Sequence, residues 1–529
     1  MTQALVLITF LSVTVVLAVL AKRLHIPYPI AFVIGGILLA FSRNVPHPNP
    51  DPELIILLVV PPLLFGAAWT TDWYDLRRNA RPISLYAVGL VLVTMTAVGA
   101  VAHFTLPEFT WPLAFTLGAI VSPPDAVAAE AIFERLAIPH RIFAIITGEC
   151  LVNDATALVL YRFALAAALT GTFSLARASV AFVIVAAGGI LAGILIAFVL
   201  EGVLRYIMRV GYGDPLIVSV VLLLAPFAAY LTGEELHVSG VLAAVSAGIV
   251  LSRRSSNFVD SEGRVLATSV WRLLTFVLNA FAFLLIGLEL PAILLALMPH
   301  VRNYVLYGLL LSVTVIVVRL VWVFPAAYIP RMLSRRLRER DPVASWQQLV
   351  VLGWSGMRGI ISLAIALALP YTLGDAAFPQ RSALIFLTFC VVFATLVFQG
   401  LTLGPLVEWL GVTETSRSSK REANLRIRAL EAGVAKLRDE ESRHKTPLDR
   451  EIIDRVLDEY TQRINLLHGR EVDPDADEAK EIRLDRSVQR EALAAERQAI
   501  TEMRRAGEIP DEIFRSIEYD LDLATLRLS

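Results

Sequence analysis

Three stretches place ionisable or strongly polar residues inside long apolar runs: Ser122-Pro123-Pro124-Asp125, Gly148-Glu149-Cys150-Leu151-Val152-Asn153-Asp154 and Gly353-Trp354-Ser355-Gly356-Met357-Arg358-Gly359. A charged side chain at the centre of a bilayer costs about 3 kcal/mol or more, so each is a functional candidate. Glu149, Cys150, Asn153 and Asp154 fall at i, i+1, i+4 and i+5, one face of a helix at 100° per residue. Such a face must look into protein or water. A carboxylate beside a carboxamide suits a partly dehydrated monovalent cation, because the amide adds an oxygen ligand without a second negative charge. The same carboxylate can take a proton instead, so competition of cation and proton for Asp154 is the chemistry these residues offer.

Pro123 and Pro124 lack the N–H groups that would bond the carbonyls of Ala119 and Ile120, so this helix is predicted to break and leave oxygens free for a cation. Ser122 fits an N-cap and Pro123 the first position of a restarted helix, so Asp125 either stabilises that N-terminus or contacts the cation directly. Arg358 keeps its proton and needs an anion within the bundle, and Glu149 is the expected partner in a structural ion pair. Arg319 is a second buried charge, its partner expected to be Glu289 or a carbonyl. Asn279 is a minor candidate for lining the site. His103 is expected to be a hydrogen-bonded structural histidine, and Glu130, Glu201 and Glu289 are expected to be solvated near span ends.

A hydrophobic content of 56% and a mean hydropathy of +0.65 place the chain among membrane proteins. Some 20 apolar residues cross the hydrocarbon as a helix. By that measure spans are expected near 2–21, 29–41, 53–69, 82–106, 111–133, 141–170, 178–204, 214–232, 238–251, 266–297, 303–329, 346–370 and 382–410, thirteen in all. The first lacks a preceding basic stretch and reads as a retained span rather than a cleaved signal. Cys150 and Cys390 both lie in apolar runs, which argues against a disulfide framework or a cysteine metal site. A net charge of −1 gives no electrostatic case for nucleic acid.

Alternate loops differ in charge: one set holds 17 Lys and Arg, from Lys22 and Arg23 to Arg340, and the other only Arg43, Arg177, Arg302 and Arg381. The positive-inside rule then places the N-terminus outside and the C-terminus in the cytoplasm. Residues 1–412 form the expected transmembrane domain, with inverted repeats at about 1–170 and 214–410. The interruptions in spans 5 and 12 stand seven spans apart, as oppositely running copies require. Residues 413–529 carry 22 Lys and Arg with 27 Asp and Glu, about half of all charge, and read as a helical cytoplasmic domain with turns at Pro447 and at Val472-Asp473-Pro474-Asp475. Its role is either folding and dimerisation or regulation by a ligand.

The sequence resembles the monovalent cation:proton antiporter-1 family, the bacterial NhaP proteins and animal NHE exchangers. The resemblance rests on Ser122-Pro123-Pro124-Asp125-Ala126-Val127, Gly148-Glu149 with Asn153-Asp154, residues 283–290 (FLLIGLEL), Arg319 with Trp322-Val323-Phe324-Pro325, and Arg358-Gly359. It implies an all-α NhaA/NhaP-like antiporter fold with interrupted helices and a dimer working by elevator-like motion. It further implies Asp154 as the cation and proton site, with Ser122, Pro124, Asp125, Cys150 and Asn153 around it, Glu149 paired with Arg358, and electroneutral exchange. Three positions depart from the family pattern, each removing an oxygen ligand: Pro124 for Thr, Cys150 for Ser, and Gly66 for an acid.

The expected function is therefore Na+/H+ antiport in a bacterial inner membrane, serving sodium and pH homeostasis, with no cofactor besides the transported Na+ and H+ and with lipid, small cations and a second copy of the chain as partners. K+/H+ antiport, with K+ or Li+ as alternative cargo, and proton-coupled symport of a small solute are the competing readings. An ion channel would call for repeated filter loops, and an intramembrane enzyme for a His-Glu-x-x-His or an activated Ser, which the spans lack.

Overall fold

The computed structural model describes residues 2–24, 28–41, 52–125, 138–170, 175–255, 261–341, 344–373, 376–378 and 380–412, isolated positions between 125 and 138, and in the tail residues 427–439, parts of 453–503 and position 521. Ala126, Val127 and Glu130 of the expected restarted helix, and the tail turns at Pro447 and at Val472-Asp473-Pro474-Asp475, lie outside the described residues.

The chain divides into two units, Met1–Thr413 and Glu414–Ser529. The first is helical: α1 (Thr2–Leu24), α2 (Tyr28–Ala40), α3 (Pro52–Thr70), the short α4 (Trp73–Arg78), α5 (Ala80–Thr105), α6 (Trp111–Val121), α7 (His140–Thr170), α8 (Leu175–Arg209), α9 (Pro215–Glu235), α10 (Gly240–Arg254), α11 (Ser261–Ala296), α12 (Val301–Leu333), the short α13 (Arg335–Arg340), α14 (Trp346–Trp354), α15 (Ile360–Leu367) and α16 (Arg381–Leu410). Thr372–Leu373 and Ala376–Ala377 pair as a two-residue antiparallel ladder. Among the described residues eight helices are long and apolar enough to cross a bilayer, and Tyr28–Ala40 and Trp111–Val121 are shorter apolar helices. Length and composition thus account for eight of the thirteen expected spans.

Local chemistry sets the helix limits. Asp214, Ser239 and Ser345 accept the backbone N–H of Leu216, Leu242 and Gln348, capping α9, α10 and α14. Two π-helical turns, Leu85–Leu90 in α5 and Thr395–Gln399 in α16, displace a carbonyl from the ladder. The indole N–H of Trp322 on α12 donates to the Leu85 carbonyl at 3.2 Å, tying α12 to the first π turn.

The buried apolar side chains fall into two bodies. The larger gathers α2, α5, α6, α7, α12, α14–α16 and the later half of α11. The smaller is built mainly from α8, α9 and α10, with Phe65 and Trp69 of α3 and Ala267 and Trp271 of α11. Within the most apolar stretch of α7, 83% of residues are buried, the largest share among the eight long helices. This helix carries Glu149, Asn153 and Asp154, so its polar face is directed into protein rather than lipid. In the second unit, residues 427–439 are helical and Ile500, Leu521 and Leu493 pack together.

Candidate functional site: the crossing of two interrupted helices

The break that Pro123 and Pro124 impose ends α6 at Val121, and residues 122–125 are not helical. A second break at residues 355–359 separates α14 from α15. The two breaks bond to each other. The Asp125 N–H donates to the Met357 carbonyl at 2.7 Å. In return the Arg358 guanidinium donates to the carbonyls of Val121 (3.0 Å), Ser122 (3.2 Å) and Gly356. The Ser122 hydroxyl turns back to the Ala119 carbonyl at 2.9 Å. The Ala119 carbonyl, expected to be free for a transported cation, thus takes the Ser122 hydroxyl, and the carbonyls of Val121 and Ser122, beyond the expected pair, are held by a cation of the protein itself. The physical reason is that a guanidinium has five donors and no acceptor, and interrupted backbone offers acceptors that bilayer helices lack.

This arrangement corrects the expected Glu149–Arg358 pair. Glu149 takes Arg319 instead, in a two-pronged bond of 2.5 and 2.9 Å with both side chains at 0% exposure. Arg319 also donates to the Leu352 carbonyl at 3.3 Å. A fork-shaped guanidinium matches a carboxylate in this geometry. Gly356 makes the pairing possible: a Cβ there would overlap the Arg319 side chain on its way to Glu149. Gly359 serves in the same manner, since its missing Cβ leaves the space filled by the Asp125 carboxyl.

Asp154 lies within electrostatic reach of both Asp125 and Glu149, and 8% of it remains exposed. The adjacent Asn153 is at 0% exposure, and among the described residues neither its Oδ1 nor its Nδ2 has a hydrogen-bond partner. A buried carboxamide without partners is uncommon, because losing its water costs about 1–3 kcal/mol per unsatisfied group. Cys150 is a buried free thiol on the same face of α7, and Pro124 is buried within the break. The structure therefore brings Ser122, Pro124, Asp125, Cys150, Asn153 and Asp154 into one neighbourhood, with Glu149, Arg319 and Arg358 as its fixed charges.

Thr395 escaped the sequence reading. In the second π turn its hydroxyl accepts the Arg358 backbone N–H at 3.1 Å while donating to the Val391 carbonyl at 2.8 Å. A threonine in a long apolar span, seven spans after the Asn153-Asp154 pair, was the available signal. Gly66, where the resemblance leads one to expect an acid, faces Trp271 and Thr275: an added Cβ would stand 3.2 Å from the Trp271 ring and 3.3 Å from the Thr275 hydroxyl. Asn279 is half-buried one turn beyond Thr275. Glu201 is not solvated as expected but 3% exposed, 2.5 Å from Arg205 and 2.6 Å from Arg254. His103 stacks on Trp111, and its Nδ1 lies 2.8 Å from the Phe109 carbonyl, to which it donates when protonated there.

Away from the crossing, Asp341 holds three arginines that begin or end long helices: Arg81 of α5 (2.7 Å), Arg141 of α7 (2.5 Å) and Arg331 of α12 (3.0 Å). Burial disfavours the Asp341 carboxylate, but the hydrogen bond from Arg141 and the charges of Arg141, Arg331 and Arg81 outweigh it and hold the carboxyl below the usual carboxylate range.

Comparison with known proteins bears on the family and the fold. The family model for the transmembrane sodium/hydrogen exchanger matches residues 8–409. The uncharacterized Na+/H+ exchanger YjcE of Escherichia coli is 34% identical over 518 residues, covering 94% of this chain and 93% of that protein. A sodium, potassium, lithium and rubidium/H+ antiporter of Bacillus pumilus is 33% identical, covering 75% and 61%. The solved sodium proton antiporter MjNhaP1 of Methanocaldococcus jannaschii, at 18% identity, superposes with a TM-score of 0.60 over 78% of this chain and 99% of that one, which shows a shared fold. With a family match across nearly the whole helical unit and a full-length relative at this identity, the chain belongs to the sodium/hydrogen exchanger family of membrane transporters.

Proposed function

We propose that this antiporter exchanges Na+ for H+ one for one, with both competing for the Asp154 carboxylate. The observation that carries the reading is the Asn153 carboxamide, buried without a partner beside Asp154 at the crossing of two interrupted helices. A cation supplies the missing partner for Oδ1, and Asp154 supplies the charge. Glu149 is held by Arg319, and Arg358 by carbonyls, so both are committed to protein partners rather than to the cargo. One exchangeable carboxylate per cycle gives electroneutral stoichiometry: one Na+ on Asp154 leaves as one H+ arrives.

Asp125 has its backbone N–H fixed to Met357 and its carboxyl against Gly359, so it is placed to tune the field at Asp154. Na+ is the expected cargo because the family and the relative YjcE are named for it; the Bacillus pumilus relative, named for sodium, potassium, lithium and rubidium, favours K+ and Li+ as secondary cargo. A homodimer in a bacterial inner membrane, with its tail in the cytoplasm, completes the proposal. The oppositely running interruptions, bonded to each other, are the arrangement by which inverted repeats build an alternating-access site.

The test is flux in proteoliposomes of purified protein, following a trapped pH dye as Na+, K+ or Li+ is added, with voltage free or clamped. Asp154→Asn is expected to abolish exchange in a protein that still folds, and clamping voltage is expected to leave the wild-type rate unchanged. Na+/H+ flux at the wild-type rate in Asp154→Asn would remove the proposal.

A further inference from the structure

Beyond the crossing, a charged pair ties α7 to the C-terminal end of α9. Arg162 of α7 binds Glu234 of α9 through two bonds of 3.0 Å, and its Nη2 lies 3.4 Å from the Tyr230 hydroxyl. Asp154, Leu158 and Arg162 recur at i, i+4 and i+8, so they follow one stripe of α7, with Arg162 about 12 Å along the axis from Asp154. A cavity of about 290 Å³ opens at this seam. Leu158 and Val159 line it from α7 together with Arg162, while Glu234, His237 and Ser239 line it from the α9–α10 side. It lies toward the opposite end of α7 from Arg141 and Asp341, since 21 residues of helix separate Arg141 from Arg162.

Among the described residues that line the cavity there is one carboxylate, Glu234, and a tethered cation occupies it. An arginine on the approach to a cation site repels the cargo unless a carboxylate neutralises it, and that carboxylate is then a ligand both cations can claim. We infer that this cavity is the antechamber for the transported monovalent cation on the face away from Asp341, with Glu234 as its carboxylate ligand and Arg162 as a built-in competitor. The cation displaces Arg162 from Glu234, and loss of that bond releases α7, the helix that carries Asp154, from the C-terminal end of α9. Both side chains retain partial exposure, 40% for Arg162 and 33% for Glu234, so exchange at the pair does not require taking a bare charge from a dry interior.

This rests on the antiport reading, and its signature is a pair of opposite effects on one face only. In vesicles sorted by sidedness, Arg162→Gln removes the competitor and lowers the apparent KM for Na+ about 3- to 10-fold from the Arg162 face. Glu234→Gln removes the ligand and raises it by a comparable factor, the double variant follows Glu234→Gln, and KM from the Asp341 face stays unchanged in all three. A pair that only held helices together would shift both single variants in one direction and on both faces, and that result would overturn the inference. Arg162→Lys keeps the charge and is expected to restore the wild-type KM if Arg162→Gln folds poorly.

A second measurement separates this inference from the antiport reading. Labelling of Ala166→Cys, exposed on the cavity wall, by an impermeant maleimide is read in an Asp154→Asn background with native-cysteine labelling subtracted. Na+ changes that rate when the antechamber binds cation even though exchange is abolished. A rate indifferent to Na+, with wild-type exchange intact, would sink the antechamber and leave the antiporter standing.

Discussion

Removing one partner of a buried pair should be far more costly than removing both, and the Glu149–Arg319 pair permits a quantitative test. Both residues are fully buried and joined by two bonds. Arg319→Met leaves the Glu149 carboxylate in a low-dielectric interior, which costs roughly 3–5 kcal/mol, and Glu149→Leu leaves the guanidinium, among the described residues, with the Leu352 carbonyl alone, at a comparable cost. Additive behaviour would put the double variant at roughly 6–10 kcal/mol, whereas a pair replaced by apolar side chains of similar volume is often near neutral. The expected coupling therefore exceeds about 3 kcal/mol, larger than most contacts show. The assay is equilibrium unfolding in mixed micelles followed by tryptophan fluorescence, run on the four members of the cycle. The parallel cycle of Glu149 with Arg358 is expected to give the smaller coupling, because the Arg358 guanidinium donates to carbonyls rather than to Glu149. Additive losses in the first cycle, or a larger coupling in the second, would refute the pairing.

Arg358→Met should strand the carbonyls of Val121, Ser122 and Gly356 at once and destabilise by about 3 kcal/mol or more, with Arg358→Lys recovering only part because an ammonium cannot span the fork; thermal melting in detergent ranks the three. Gly359→Ala places a methyl where the Asp125 carboxyl lies, so exchange rate should fall at least tenfold while folded yield changes little, measured by flux and by size exclusion. Asn153→Leu should raise thermal stability, since it deletes an unsatisfied carboxamide, and weaken Na+ affinity; a loss of stability would show that Asn153 has a structural partner. For Asp341 the folded-state pKa lies below the unfolded value, so its stabilising contribution is complete above about pH 4 and lost only as pH falls through the folded value. Asp341→Asn should therefore lower the melting temperature equally at pH 5 and pH 8, with the difference from wild type shrinking only below about pH 4.

Much of this protein was readable from its residues. Hydrophobic length marked the spans because lipid accepts only helices whose backbone bonds are internal, and polar residues inside such spans stood out because they are costly there. Asp154, Asn153 and the break at Pro123-Pro124 were singled out for these reasons, without any knowledge of their neighbours. Which charge meets which was not readable. Glu149 had two arginines on other spans to choose from, and chemistry alone made Arg358 as good as Arg319. Tertiary packing decided: the proline break freed carbonyls that absorb the Arg358 guanidinium, and the absent Cβ of Gly356 opened the route by which Arg319 reaches Glu149. The partner of Glu234 was hidden for the same reason, because Arg162 lies 72 residues away in the chain and only the tertiary structure brings the two side chains together. Sequence fixes what a side chain can do at a given depth in the bilayer; the three-dimensional meeting of distant segments selects which of those possibilities is realised.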